Sequence, residues 1–136
     1  MRFIRDTMKQ LAALLTLLVT SPANACNLNL VELLSWSIAA EDSDTNRLDT
    51  SFRFNGTSAI RMIDASVGFS DILGGRIASF AMDRDVSLTP GQEFALSGLW
   101  GPYTFERLLD LKAEDVTVQV CVRAVVHADG TVERFD

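Results

Sequence analysis

The first candidate for chemistry in this sequence is a run of oxygen-bearing side chains at alternate positions: Asp42, Asp44 and Asn46. Oxygen ligands with this spacing are typical of the first half of a calcium-binding loop. That loop requires glycine at its sixth position and glutamate at its twelfth, whereas this chain has Arg47 and Arg53 there. We therefore expect no metal site and interpret the run as a solvated polar turn, with a looser calcium site on Glu41 and Asp49 as the alternative.

His127 is the only histidine, and a histidine acts as a general base when a nucleophile and an orienting acid lie beside it. Asp129 is near in sequence, but such a pair is expected by chance, and the chain has no Gly-x-Ser-x-Gly motif. A zinc site would need the two cysteines, which can instead pair with each other. The sequence therefore predicts no catalytic residue, no cofactor and no enzyme. A deep polar pocket beside His127 would be needed to indicate one.

The two cysteines, Cys26 and Cys121, have two alternative fates. In an oxidising compartment they are expected to form a disulfide. That bond would close a loop over 94 intervening residues, and loops of this size give an entropic stabilisation of up to about 4–5 kcal/mol. In the predicted strand over residues 116–126, Cys121 lies on the same face as polar residues. We therefore expect the disulfide to lie outside the core. The other fate is acylation of Cys26, which would leave Cys121 unpaired.

Residues 1–25 have the parts of a secretory signal peptide: a basic start, an apolar run over 11–19 and small residues at 23 and 25. The apolar run is too short to span a bilayer. Cleavage after Ala25 would leave one domain, residues 26–136, in the periplasm or outside the cell. A lipoprotein signal is the alternative, but Ala23 replaces the expected leucine-like residue and Asn24 a small one. Ordinary cleavage is therefore favoured over a lipid anchor.

The charge of the mature chain limits its partners. Removal of residues 1–25 takes away three basic residues and one acid, which leaves nine basic and seventeen acidic residues and a net charge of −8. A surface with this charge disfavours nucleic acid and anionic lipid as partners. No later segment is apolar and long enough to span a membrane.

An aromatic stretch offers a candidate site for a partner: Trp100, Tyr103 and Phe105 lie around Gly101 and Pro102. Tryptophan and tyrosine in such a loop can anchor a partner, because they carry a large contact area at little entropic cost. The alternative is that these residues close one end of the core, with Trp100 folded onto it. We name all three as candidate partner-binding residues.

Alternation of apolar and polar residues predicts an all-β fold. The predicted strands cover residues 27–38, 48–54, 59–70, 76–82, 93–97, 116–126 and 132–135. A helix over residues 30–40 is an alternative for the first strand, and one short helix is predicted near 104–111. In the longest valine run, Ala124 and Val126 share the parity of Val116–Val122 and are expected inward. Seven short strands without strand–helix alternation predict an immunoglobulin-like sandwich of two antiparallel sheets.

The middle of the chain resembles a protein family. Asn55–Ser58, the series Phe69-Ser-Asp-Ile-Leu-Gly74 and the turn Leu88-Thr-Pro-Gly91 are similar to turns of bacterial FxLYD-type and related immunoglobulin-like envelope domains. The resemblance covers about residues 48–98, and it implies a β-sandwich without shared catalytic residues. Gly56-Thr57 intervenes in the first turn, and Ser70 replaces a common aromatic.

Together these features favour an exported, non-enzymatic binding or accessory module of the bacterial periplasm that contacts another protein. The second hypothesis is a lipid-anchored structural component of the envelope with an acylated Cys26.

Overall fold

The computed structural model describes residues 26–135, and seven β-strands make up its fold. The strands are β1 (Val31–Ala40), β2 (Asn46–Phe54), β3 (Ile60–Asp71), β4 (Arg76–Ala81), β5 (Glu93–Trp100), β6 (Val116–His127) and β7 (Val132–Arg134). The predicted signal peptide, residues 1–25, lies outside the described residues. The helix alternative for the first strand is wrong, because β1 is extended throughout.

The strands form two antiparallel sheets, one of three strands and one of four. The first sheet has the order β1-β2-β5, and the second has the order β4-β3-β6-β7. In a constant-type immunoglobulin domain the fourth strand joins the first sheet. Here β4 instead pairs with β3 through residues 66–70. The prediction of an all-β, two-sheet sandwich of about seven strands is confirmed.

Alternation along β2 and β3 explains why these strands form the centre of the core. Leu48, Thr50, Phe52 and Phe54 of β2 are buried, and the residues between them are half-buried or exposed. On β3 the predicted inward residues are likewise buried: Ile63, Ala65, Val67 and Phe69. Phe52 and Phe69 are fully buried, and burial of one such side chain stabilises the fold by about 1.5–3 kcal/mol.

Two β-bulges change which residues face the core. In β1 the register with β2 shifts between Leu33 and Ser35, so Leu34 is exposed although its parity predicted burial. In β6 the partners of Asp64 and Ala65 are Ala124 and Val122, so Arg123 is the extra residue. Beyond this bulge Val125 is buried. The prediction that Ala124 and Val126 continue the inward face is therefore wrong at this end of the strand.

The segment between β5 and β6 contains two 3-10 turns, Glu106–Leu109 and Ala113–Asp115, where the sequence predicted one short helix. Phe105 and Leu108 are buried, but Leu109 is 43% exposed. A 3-10 turn places residues three apart on one side, so Phe105 and Leu108 are buried together and Leu109 is not. None of the helices in residues 26–135 is long and apolar enough to cross a bilayer.

Candidate partner-binding site

The aromatic stretch does not form one exposed surface. Phe105 is fully buried, Trp100 is half-buried and Tyr103 is 88% exposed. The ring centroids of Trp100 and Phe105 are 5.0 Å apart with an edge-to-face orientation, and Phe80 lies 5.9 Å from Trp100. Phe105 also contacts Phe69 in the core, with a centroid distance of 5.5 Å.

This geometry matches the alternative in which the aromatic residues close the end of the sandwich. Phe105 has no surface to offer a partner, so its assignment as a partner-binding residue is corrected. Trp100 belongs to the last position of β5 and packs against Phe105 and Phe80, which leaves only part of its ring accessible. Tyr103 is the one residue of the three that extends into solvent, and its role in binding stays a prediction.

A disulfide joins Cys26 to Cys121, with a Cα–Cα distance of 5.3 Å. Both cysteines are half-buried and lie outside the buried core, as the sequence predicted. The next residue, Asn27, pairs with Val122 through two backbone hydrogen bonds: the Asn27 N–H donates at 2.8 Å and the Val122 N–H donates at 3.1 Å. The disulfide therefore holds residues 26–27 along one edge of β6. We call these residues the N-terminal strap.

The same edge of β6 is covered by β7 only near its other end. β7 pairs with Ala124, Val125 and Val126, and the Phe135 N–H donates to the Arg123 carbonyl at 2.9 Å. The strap covers Val122. Within residues 26–135, no strand pairs with the remaining half of this edge, residues 116–120. We call it the open edge.

The direction of the backbone groups on the open edge follows from the pairing of its neighbours. Val122 uses both its N–H and its carbonyl toward the strap, so it makes no ladder bond to β3. In an antiparallel strand this direction recurs at every second residue. Val118 and Val120 therefore direct their N–H and carbonyl groups away from β3. The Val116 N–H is already used, because it donates to the Ala113 carbonyl.

A groove of about 610 Å³ lies beside the open edge, between β6 and β1. On the β1 side it is lined by Val31, Leu33 and Trp36, and on the β6 side by Val116, Val118 and Val120. Polar groups at its rim come from Asn29, Glu32, Asn55 and Gln119. The groove is thus a gap between β1 and β6 that is lined by both apolar and polar groups.

Contacts from the neighbouring segment position the start of the open edge. The Ile72 N–H donates to the Asp115 carbonyl at 2.9 Å, which extends the β3–β6 pairing beyond Val116. The Arg107 guanidinium donates to the Asp71 carboxylate at 2.7 Å. That hydrogen bond, followed by those from the Gly75 and Leu73 N–H groups, lowers the pKa of Asp71. The charged carboxylate therefore fastens the first 3-10 turn to the β3–β4 hairpin.

His127 lies in a hydrogen-bonded chain that the sequence did not predict. Its Nδ1 is 3.0 Å from the Ser58 hydroxyl, and its Nε2 is 2.8 Å from a Glu133 carboxylate oxygen. Asp129, the acid that lies near His127 in the sequence, instead accepts a hydrogen bond from the Thr131 N–H at 2.9 Å. Glu133 faces its partner because β7 pairs with β6, a long-range fact that no local motif signals.

The hydrogen-bonded residues Ser58, His127 and Glu133 border a cavity that is smaller than a usual ligand site. The adjacent cavity has a volume of about 110 Å³, and its walls include Leu30, Phe54, Ile60 and Phe135. Ligand sites commonly enclose about 300–1,000 Å³. The deep polar pocket that would indicate an enzyme is therefore not found beside His127. The Ser58–His127–Glu133 contacts fasten the loop before β3 to the β6–β7 hairpin.

The acidic turn is occupied by internal contacts. Glu41 pairs with Arg47 at 3.2 Å, and Asp49 accepts a hydrogen bond from the Ser97 hydroxyl. The Asp42 carboxylate accepts from the Asp44 N–H, which lowers the pKa of Asp42. Among residues 26–135, no three carboxylate, histidine or cysteine side chains are arranged to hold a metal ion.

The sequence did not predict the groove, because alternation along the valine run indicates which residues face the core but not which strands pair with its edges. Comparison with protein-family models and with curated proteins finds no match. The resemblance of residues 48–98 to FxLYD-type domains therefore stays a prediction.

Proposed function

We propose that this chain is an exported, non-enzymatic accessory module of the bacterial periplasm that binds another protein. The observation that supports this function best is the open edge of β6 beside a groove that has apolar side chains on both walls. Exposed strand edges with unpaired backbone groups are common sites of protein association. The disulfide supports export, because such bonds persist mainly in oxidising compartments.

The alternative is a lipid-anchored structural component with an acylated Cys26. In the disulfide-bonded form the sulfur of Cys26 is joined to Cys121, so that form has no thiol to carry an acyl group. Mass spectrometry of the protein from the native envelope separates the two functions. A chain that begins at Cys26 and contains the Cys26–Cys121 bond supports the exported module. A diacylated Cys26 supports the alternative.

Site-specific photocrosslinking in cells that express the full chain tests protein binding. A photoreactive residue is placed at Gln119 on β6, at Tyr103 and at Leu73, all of which are exposed. The proposal expects a crosslink to another protein from at least one position, since these positions sample the open edge, the β5–β6 segment and the β3–β4 turn. Absence of any adduct from all three positions, in protein that is folded and exported, would overturn it.

A further inference from the structure

The open edge has the composition of a strand that pairs rather than of one that stays exposed. Its sequence is Val-Thr-Val-Gln-Val, with no charge and no proline. Edge strands that remain free usually carry charged residues, prolines or bulges that prevent association. β7, by contrast, carries Glu133 and Arg134 at its exposed positions. The bulge of β6 lies at Arg123, beyond the open edge.

The spacing of the free backbone groups selects an extended ligand. Val118 and Val120 present N–H and carbonyl groups two residues apart, and a second strand presents partners at the same interval. The strap and β7 occupy the edge from Val122 onward, so an added strand would be limited to about five or six residues by the standard rise of a strand. The added strand would lie on the same edge of β6 as the strap and β7.

The groove determines which side chains such a strand would carry. Inward residues would meet Val31, Leu33 and Trp36 on one wall and the three valines of the open edge on the other. Because side chains alternate across a strand, an apolar residue at every second position would fill the groove. The outward residues would continue the polar face of Thr117 and Gln119, both of which are exposed.

The charges around the groove favour a basic ligand. Among the described residues that line it, Glu32 is the only charged one, and Glu114 and Asp115 immediately precede the open edge. Arg53 lies 3.8 Å from the Glu32 carboxylate, but it also binds Glu93 at 2.8 Å. A second copy of this chain would bring the same net charge of −8 for residues 26–136 to the contact, which opposes self-association.

We propose that the open edge binds, by β-strand addition, an extended segment of a partner protein with alternating apolar residues and flanking Lys or Arg. This inference rests on the proposed protein-binding function and specifies its mode. The added strand hydrogen-bonds to Val118 and Val120, and its apolar side chains enter the groove between β1 and β6. Its basic residues lie near Glu32 at the rim and near Asp115 at the start of β6.

Binding of three synthetic peptides to the folded, disulfide-bonded protein tests the chemistry of the ligand. The probe is fluorescein-labelled Lys-Val-Thr-Val-Thr-Val-Lys, followed by fluorescence anisotropy. The matched peptides replace both lysines by glutamate, or the central valine by proline. We expect saturable binding of the basic peptide, and binding at least about tenfold weaker for the acidic and the proline peptide, which corresponds to about 1.4 kcal/mol. Equal binding of all three peptides, or none, would overturn the proposal.

Two pairs of variants place the peptide on the open edge. Val118→Pro removes an N–H that makes no bond to β3, and we expect about tenfold weaker binding because an added strand loses this partner. Val118→Ala keeps the N–H and controls for the side chain. Glu32→Gln should weaken binding of the basic peptide about threefold, as expected for the loss of one exposed ion pair. Glu106→Gln removes an exposed carboxylate that lies outside the groove, and it should leave binding unchanged.

The outcomes distinguish this inference from the proposed function. The urea midpoint of each variant shows whether it is folded. If Val118→Pro does not fold, the glutamate pair decides, and equal effects of Glu32→Gln and Glu106→Gln would overturn the strand-addition site. If photocrosslinks to another protein arise at Tyr103 but not at Gln119, protein binding stands and strand addition is overturned. A crosslinked dimer of this chain through Gln119 would identify a second copy as the occupant and would overturn the basic partner.

Discussion

Replacement of Cys26 by serine removes the covalent link between the start of the domain and the middle of β6. The two cysteines are 95 positions apart. The bond therefore restricts almost the whole described chain in the unfolded state. In the folded state it holds Asn27 against Val122, where the two backbone hydrogen bonds continue the sheet.

The magnitude follows from the size of the loop. Closing a loop of about 95 residues lowers the entropy of the unfolded chain by an amount equivalent to about 4–5 kcal/mol at 25 °C. Fraying of the strap removes two backbone hydrogen bonds of about 0.5–1.5 kcal/mol each, but the strap regains conformational entropy that offsets most of this loss. We expect the free energy of unfolding to fall by about 3–5 kcal/mol, out of the 5–15 kcal/mol that is usual for a domain.

Urea unfolding followed by tryptophan fluorescence measures this loss. Cys26→Ser, Cys121→Ser and the double variant should be destabilised equally, because each removes the same bond, and the double variant leaves no thiol to form dimers. Reduction of the wild-type protein should give the same midpoint. A loss below about 1 kcal/mol in all three variants would refute the reasoning, since it would mean that the bond does not restrict the unfolded chain.

Two further predictions concern the closed end of the sandwich and the β3–β4 hairpin. Phe105→Ala removes a fully buried ring, so we expect a loss of about 3–5 kcal/mol; Tyr103→Ala, at an exposed position, should change stability by no more than about 0.5 kcal/mol. Equal effects of the two in urea unfolding would contradict the assignment of Phe105 to the core. Asp71→Asn should destabilise the protein at neutral pH, because the pKa of Asp71 is lowered by Arg107 and the hairpin N–H groups. A lowered folded-state pKa gives stability that is present above the unfolded value of about 3.9 and disappears as the pH falls through the folded-state value. The difference between variant and wild type should therefore shrink below about pH 4 in urea titrations, and a difference that is independent of pH would contradict this origin.

The fold could be predicted from the sequence wherever one strand alternates regularly between the core and solvent. β2 satisfies this condition over its whole length and β3 satisfies it from Ile63 to Phe69, and all eight of their predicted inward residues are buried. The pattern fails at the two bulges, near Leu34 and Arg123, because a bulge is fixed by pairing with a second strand. In β1, apolar residues occur at both odd and even positions, and this is the local pattern that indicates such a shift of register.

The candidate site was less accessible to sequence analysis for a related reason. Trp100 and Phe105 carry the residue types of an interface, but whether they face a partner or the core depends on Phe80 and Phe69 from other strands. Likewise, the open edge is the part of β6 that lies beyond its pairing with β7 and with the strap, and both of these pairings are long-range. The residue types along β6 identify a strand, but they do not show which part of its edge lacks a partner among residues 26–135.

Amide hydrogen exchange of β6, measured by NMR on the disulfide-bonded protein, tests most directly whether this chain binds through an open edge. In the free protein the amides of Thr117, Gln119 and Cys121, which face β3, should exchange slowly, and those of Val118 and Val120 should exchange fast. Saturation with the basic peptide should slow amide exchange at Val118 and Val120 by at least about tenfold and leave the exchange rates of the other three amides unchanged. Protection of Val118 and Val120 in the free protein, or fast exchange of both in the saturated complex, would contradict strand addition at this edge.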